Sequence, residues 1–411
     1  MFTLTYFNFY YPAPGERVIS ANEGANLTNV TACSYTLNAN EISTLTFSIG
    51  PVPTTAVFGG TSGSTDAQIV PMLLSWVRLQ DGDRDVGFFR ILRREWTVGD
   101  MGAVVTFECE DARACLMDQM VIGTRTLTGL ASSQFNALVW CHNNNKGWRS
   151  ASVGGPETGH HNPTWLYEHD DEFEALTLAD NNFADVDLLA AMDTIRERSE
   201  RALGTSYAYI ATRFAGDEGW YIGMKLARNV VSTKPIRYGL NLISMTGSDD
   251  GSAIFTCLYG SGKNAAGEEI KINDSGNCWV ADATAMFRYG LRVMTWSDES
   301  TTSQSVLTSR ARRVLNVAKT AETAYEADVL DIDTIGDGSG HLWPGEMTRV
   351  EFPDRAGSEM FITSVTKDDL VSEPDRIHVT LCNRSAKRAE LMELVSAKSY
   401  STSQLDSPFE S

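Results

Sequence analysis

Four of the six histidines in this chain fall in one stretch, and a cysteine begins it: Cys141, His142, His160, His161 and His169. Thiolate and imidazole are zinc ligands, so these residue types could bind a metal ion. Their spacing works against a single centre. Adjacent Cys-His and His-His pairs do not readily point at one ion, and no C-x₂₋₄-C or H-x₃-H arm accompanies them. The stretch from His142 to His169 is otherwise polar and rich in Asn and Gly, the composition of a surface loop.

Other candidate groupings are weaker. Asp331, Asp333, Asp337 and Gly338 resemble a calcium loop, but Asp337 falls too late for the D-x-D-x-D-G register. That stretch reads as a solvated turn, as do the acidic turns at 81–85 and 247–251. Gly260, Gly262 and Lys263 suggest a phosphate loop, yet the G-x-x-x-x-G-K-[ST] spacing is missing and Asn264 follows the lysine. There is no H-E-x-x-H and no G-x-S-x-G. Paired carboxylates for glycoside hydrolysis can be drawn anywhere among 53 acidic residues, so drawing them selects nothing. The residues thus name no catalytic, cofactor-binding or metal-binding side chain, and the expectation is a chain that is not an enzyme and takes no cofactor.

The elements that would position any site are mostly strands. A chain of 411 residues suggests two to four domains, and 42% hydrophobic residues exclude a disordered one. A net charge of −19 disfavours a protein that coats nucleic acid. Seven scattered cysteines without a C-x-x-C pair read as buried free thiols. The apolar start, MFTLTYFNFYY, has no basic region and reads as a strand rather than a signal peptide, and no apolar run reaches 18 residues.

Residues 1–118 read as a first β body with hairpin turns at DGDRD and VGDMG. Residues 119–230 read as a mixed α+β middle. It holds a helix-compatible run over 130–142 and the amphipathic stretch DVDLLAAMDTIRERSERAL, capped by Asp185 or Asp187. Arg196 is expected on the wet face of that helix. Residues 231–390 read as a second β body with a helix in TSQSVLTSRARRVLNVAKTAE, and 391–411 as a C-terminal tail, with a short amphipathic helix in AKRAELMELVSAKSY and a frayed end in TSQLDSPFES. The richest strand signal lies at 326–386, where EADVLDI, PGEMTRVEF, EMFITSVTKD and DRIHVTL are separated by Gly, Pro, Asp and Ser joints.

These strands also carry a family likeness. NLISMTGSDDGSAIFTCLYGSGKNAAGEEIKI (241–272) is similar to a pattern of an N-L-[IL]-S strand, a charged turn, and a strand ending in Y-G. TAYEADVLDID, followed by LWPGEMTRVEFPDRAGSEMFITSVTKDDLVSEPDRIHVTLCN up to residue 383, resembles a second pattern, with Cys382 where glycine is usual. Residues 27–49 and 84–118 echo the first barrel of the same hub. The chain resembles the tail-hub, or prophage tail endopeptidase-like, proteins of long-tailed bacteriophages, which look like the baseplate hub of contractile phages. The resemblance implies a fold that is mainly β with an α+β middle, including two small β-barrel-like hub domains. It implies a structural homotrimer at the distal tail of a virion, assembled in the host cytoplasm. Its partners would be the distal tail protein, the tail tube, the tape-measure protein and fibre or spike proteins, with DNA only passing through a channel. A tail-associated cell-wall or glycan hydrolase is the alternative, and a host carbohydrate-binding module the second. The chain is also expected to lack the long C-terminal region that bears fibre or wall-degrading modules in many relatives.

Overall fold

The computed structural model describes residues 2–7, 25–27, 29–54, 73–82, 84–144, 165–203, 208–214, 220–227, 235–252, 254–263, 268–298, 303–331, 341–353 and 355–383. Its strands, in chain order, begin with β1 (Phe2–Phe7), β2 (Ala25–Asn26), β3 (Val30–Asn38), β4 (Thr44–Val52), β5 (Trp76–Asp81), β6 (Arg84–Gly99) and β7 (Gly102–Asp111). The middle of the chain adds β8 (Met120–Leu130), β9 (Trp165–Tyr167), β10 (Thr177–Asp187), β11 (Ala208–Phe214) and β12 (Trp220–Leu226). Then come β13 (Ile236–Arg237), β14 (Leu242–Asp250), β15 (Cys257–Lys263), β16 (Glu269–Lys271), β17 (Trp279–Ala281) and β18 (Val293–Asp298). Last are β19 (Glu322–Leu330), β20 (Met347–Phe352), β21 (Arg355–Lys367) and β22 (Arg376–Cys382).

Period-two patterning makes the first of these strands. In β4, Leu45, Phe47 and Ile49 turn inward while the intervening threonines and Ser48 face out. Its partner β7 directs Ala103, Val105, Phe107 and Cys109 to the same side. Phe47 sits directly opposite Phe107, and their rings stack with centroids 4.8 Å apart. The same alternation in β21 and β22 buries Val365, Ile377, Val379 and Leu381 in a second core.

Two compact units divide the chain. The larger contains residues 1–200, 207–247 and 324–383. Its main sheet runs β14-β19-β22-β21-β3-β4-β7-β6-β5-β1-β2, with β20 on β21 and β13 on β20. The expectation of two β-barrel-like bodies is corrected here: the chain is mostly β with some helices, but among the described residues no sheet closes into a barrel. The edge of each strand group is satisfied by the other group. β21 pairs antiparallel with β3, placing Ser364 opposite Asn38 and Lys367 opposite Tyr35, so the strands run on as one sheet instead of curling back on themselves.

The same unit carries a two-stranded ribbon, β8 with β10, and the three-stranded sheet β11-β12-β9. Trp220 anchors β12 against the main sheet, its ring within 4.7 Å of Phe88 and 5.8 Å of Trp76, centroid to centroid. Gly223 lets β12 run beside β9, because a Cβ there would collide with the Glu168 carbonyl oxygen. The helix Leu188–Leu203 buries Leu188, Ala191, Met192 and Ile195, and Asp187 caps it by accepting the Ala190 N–H at 2.7 Å. Asp185 instead takes a left-handed φ of 52° and accepts the Gly123 N–H. Arg196 is buried rather than solvated, paired with Asp193 at 3.0 Å and donating to the Ala208 carbonyl.

Among the described residues the smaller unit takes in 201–203 and the described part of 248–323. Its strands β15 to β18 form one sheet with β15 at the centre. The helix Gln304–Ala318 places Leu307, Ala311, Leu315 and Ala318 against Leu258, Val280 and Met294. A short helix, Ala283–Tyr289, is capped by the Asp282 carboxylate, which accepts the Ala285 N–H, and is stopped at Gly290 with φ 78°.

Candidate functional site

The seam between β3 and β21 holds a buried charge cluster. Lys367 ends β21 on an inward-facing position and is 1% exposed. Its Nζ bonds to Asp81 Oδ2 and lies 3.4 Å from Asp331 Oδ2. Asp331 also faces His341 Nδ1 at 3.5 Å. The Tyr35 hydroxyl reaches Asp81, and Arg84 donates to that hydroxyl and to the Leu342 carbonyl at 3.0 Å while stacking 3.8 Å over the Trp343 ring.

Two acids thus meet Lys367 and Arg84 inside the protein, with His341 at one end. Burial pushes the Asp331 carboxyl up, but the His341 hydrogen bond and the Lys367 and Arg84 charges outweigh it and hold its pKa below the ordinary value. The Tyr35 phenol is raised, by burial first and against the Arg84 charge. With so little access to solvent, this cluster is a clamp across the seam rather than a reaction centre.

Beside the seam the larger unit has an open cleft of about 520 Å³, lined among others by Phe88, Arg113, Tyr209, Thr212, Trp343 and Glu346. Arg113 builds one wall. It pairs with Asp111 at 2.7 Å and donates to the carbonyls of Asn38, Ala39, Glu41 and Ile210, drawing the β3–β4 connection towards β11. Glu346 follows a turn at Gly345, whose φ is 92° and whose missing Cβ leaves room for the Tyr209 ring. Burial raises the Glu346 carboxyl, and the nearby Arg84 charge offsets only part of that. Burial also pushes Tyr209 up to about 12.

The third feature is an arm. β5 accompanies β6 only as far as Arg90, opposite Trp76. From Arg93 to Gly99, β6 pairs with β7 alone among the described strands. β4 flanks β7 as far as Ala103, so the open side of this arm is the β6 edge; the arm exposes Leu92, Trp96, Val98 and Val104, and Met101 in its turn is 87% exposed.

The described members of the histidine-rich stretch do not gather into one centre. His142 is buried on the helix Ala131–Asn144. His169 is buried elsewhere: its Nδ1 accepts the Met224 N–H at 3.1 Å, which leaves Nε2 to donate to Asn136 Oδ1 at 2.8 Å. Burial lowers its pKa to about 4, so it is a neutral structural imidazole. Cys141 lies 3.0 Å from the Arg125 guanidinium, while His160 and His161 fall outside the described residues. Among the described residues no three His, Cys, Asp or Glu side chains gather as metal ligands. All seven cysteines are free, and burial raises the thiols of Cys33 and Cys115 to about 12.

Gly260, Gly262 and Lys263 lie in strand β15, not in a phosphate-binding loop. Asp331, read from sequence as a solvated turn residue, is 6% exposed within the seam cluster, and Asp333, Asp337 and Gly338 lie outside the described residues. Lys367, Arg84, Tyr35, His341 and Glu346 escaped the sequence reading. One signal was available for Lys367: in EMFITSVTKD it shares the inward phase of Val365.

A fold of this kind, a long antiparallel sheet with a small α+β unit inserted between β14 and β19, is that of phage tail proteins. The prophage MuSo2 43 kDa tail protein of Shewanella oneidensis matches with a TM-score of 0.57 at 12% identity, covering 93% of this chain and 98% of that one. A tail protein of Neisseria meningitidis MC58 matches with a TM-score of 0.56 at 9% identity, covering 93% and 96%. Prophage tail protein gp18 of Listeria monocytogenes EGD-e matches with a TM-score of 0.51 at 14% identity, covering 92% and 96%. No curated protein matches the chain.

Residues 230–392 match the family described as Prophage endopeptidase tail, and the fold of the chain is the one these phage tail proteins share. That description also corrects one expectation. It names an endopeptidase, which conflicts with a flat exclusion of enzymatic activity, and the exclusion does not stand. The lack of a local motif does not decide the matter, because a hydrolytic site can assemble in space without a local signature.

Proposed function

We propose that this chain is a hub subunit of the distal tail. It assembles as a trimer that joins the tail tube and distal tail protein to fibres or a central spike, with a channel for the genome along its axis. The observation that supports this best is the β6–β7 arm. A monomer gains nothing from holding Trp96, Val98 and Met101 in water on a sheet edge, whereas a subunit interface buries them. Closed threefold symmetry would supply the same complementary surface to each arm. The net charge of −19 suits a channel wall that repels DNA rather than binding it.

Mass photometry and analytical ultracentrifugation of the full chain test the reading. The expected species is a trimer that W96E/V98E converts to a monomer with an unchanged far-UV circular dichroism spectrum and a melting temperature that no longer depends on protein concentration. A wild-type chain that stays monomeric both in solution and in assembled tails overturns it. A second reading, a tail-associated peptidase, draws on the family description alone. Cleavage of a cross-linked wall peptide by the purified chain, followed by mass spectrometry, decides it.

A further inference from the structure

The cleft beside the seam has an open strand edge and an unpaired acid, and together they describe a ligand. On β12, the carbonyls of Ile222 and Met224 accept from Glu168 and Asp170, so these residues face β9 and their neighbours face β11. In an antiparallel ladder the direct partners of Tyr221, Gly223 and Lys225, namely Arg213, Ala211 and Tyr209, then direct their backbone groups inward. Ala208, Ile210 and Thr212 direct theirs outward. Arg196 takes the Ala208 carbonyl and Arg113 takes the Ile210 carbonyl. The N–H and C=O of Thr212 have no partner among the described residues, and Thr212 lines the cleft.

The charges in the cleft differ in the same way. Asp85 pairs with Arg78 at 2.8 Å, Arg113 with Asp111, and Arg213 with Glu168 at 2.8 Å. The half-buried Glu346 side chain has no hydrogen bond or ion pair among the described residues. A half-buried carboxylate without a partner is costly, and a cation arriving with a ligand would relieve that cost.

We propose that this cleft binds a short extended peptide, which adds as a strand to the outer edge of β11 at Thr212 and sets a lysine or arginine against Glu346. Backbone pairing supplies the affinity in such strand addition, and side-chain pockets supply the specificity. Phe88, Trp343 and Tyr209 provide apolar and aromatic walls for the flanking residues. The inference goes beyond hub assembly and holds whether or not the chain forms a trimer.

The probe is a capped heptapeptide of alternating threonine and valine with a central lysine, titrated calorimetrically into the full chain. Hydrogen exchange is followed at the Thr212 amide. Saturable binding is expected, with exchange at Thr212 slowed at least tenfold. A central glutamate, or N-methylation of alternate peptide amides, should weaken binding at least tenfold. E346Q should remove the preference for lysine over glutamate without changing the melting temperature. Three outcomes overturn the proposal. One is no binding at millimolar peptide. Another is equal affinity for the lysine and glutamate peptides. The last is a Thr212 amide whose protection in the free chain grows with protein concentration, which would place a second copy on the edge.

Discussion

The seam and the arm invert each other. At the seam, lysine, arginine and aspartate side chains are hidden where apolar residues would ordinarily pack. On the arm, tryptophan, valine and methionine stand in water where polar residues would ordinarily lie. Hidden charge carries a large desolvation cost, and it is retained here by mutual pairing, Lys367 between Asp81 and Asp331. Exposed apolar surface costs the folded subunit little and gains only when something covers it. The contrast separates two kinds of residue. Those at the seam hold the chain's own fold together, and those on the arm are the ones the proposed assembly would cover.

Substitution at the seam should therefore have the largest effect on folding. Lys367→Met leaves Asp81 and Asp331 facing each other without their shared cation and should cost about 3–5 kcal/mol in urea unfolding. The double variant D81N/K367M should recover part of that loss. Full additivity of the two substitutions in a double-mutant cycle would show that the pair is not coupled.

Acid separates buried groups from the arm next. His169 has a folded pKa of about 4 against 6.5 unfolded, so its neutral form contributes stability that is fully present above pH 6.5 and lost as pH falls towards 4. Asp331, lowered in the folded state, adds stability above the ordinary aspartate range that is lost as pH falls through its depressed value. Thermal melts between pH 7 and pH 4 should show a fall that is absent in a folded His169→Gln variant, while Asp331 accounts for loss at lower pH still.

A cap gives a smaller effect. Asp282→Ala removes the N-cap of Ala283–Tyr289 and the Lys319 contact at 2.8 Å, and should cost about 1 kcal/mol. Last, W96S/V98S on the arm should shift the subunit's own unfolding free energy by no more than about 0.5 kcal/mol, as exposed positions do. A loss of several kcal/mol there would mean that the arm packs within its own subunit and would remove the contrast.

Much of the local structure was legible in the residues. The four strand runs between 326 and 386 became β19, β20, β21 and β22, because each alternates Val, Ile or Phe with polar residues between Gly, Pro and Asp joints. The hairpin turns at DGDRD and VGDMG join β5 to β6 and β6 to β7. Asp187 caps its helix as its spacing indicates. The segment NCWVADATAMFRYGLRVMTWSDE, ambiguous in sequence, resolves into strand, helix and strand, since Asp282 and Gly290 mark the helix ends more sharply than its weak apolar pattern does. The polar run GSDDG reads as a turn, yet β14 extends through Asp250. Pairing with β19 overrides its low strand propensity.

The site was far less legible. Neither the acid at Asp331 nor the cation at Lys367 carries a motif, and Glu346 is one acidic residue among 53. Periodicity shows which face of a strand a residue occupies, but not which strand lies beside it.

The sequence by itself determined the strand-rich class, the helices and caps, the free thiols and the family likeness, since these rest on short-range spacing and composition. Only the tertiary structure decided that the two strand groups share one open sheet. It alone brought Lys367 to Asp81, 286 residues away, left Thr212 on an edge that no described strand pairs with, and carried the arm beyond its neighbour β5. The physical reason is that strand edges are chemically alike. Which edges pair, and therefore which charges meet across them, is settled by register and packing over the whole unit rather than by any local run of residues.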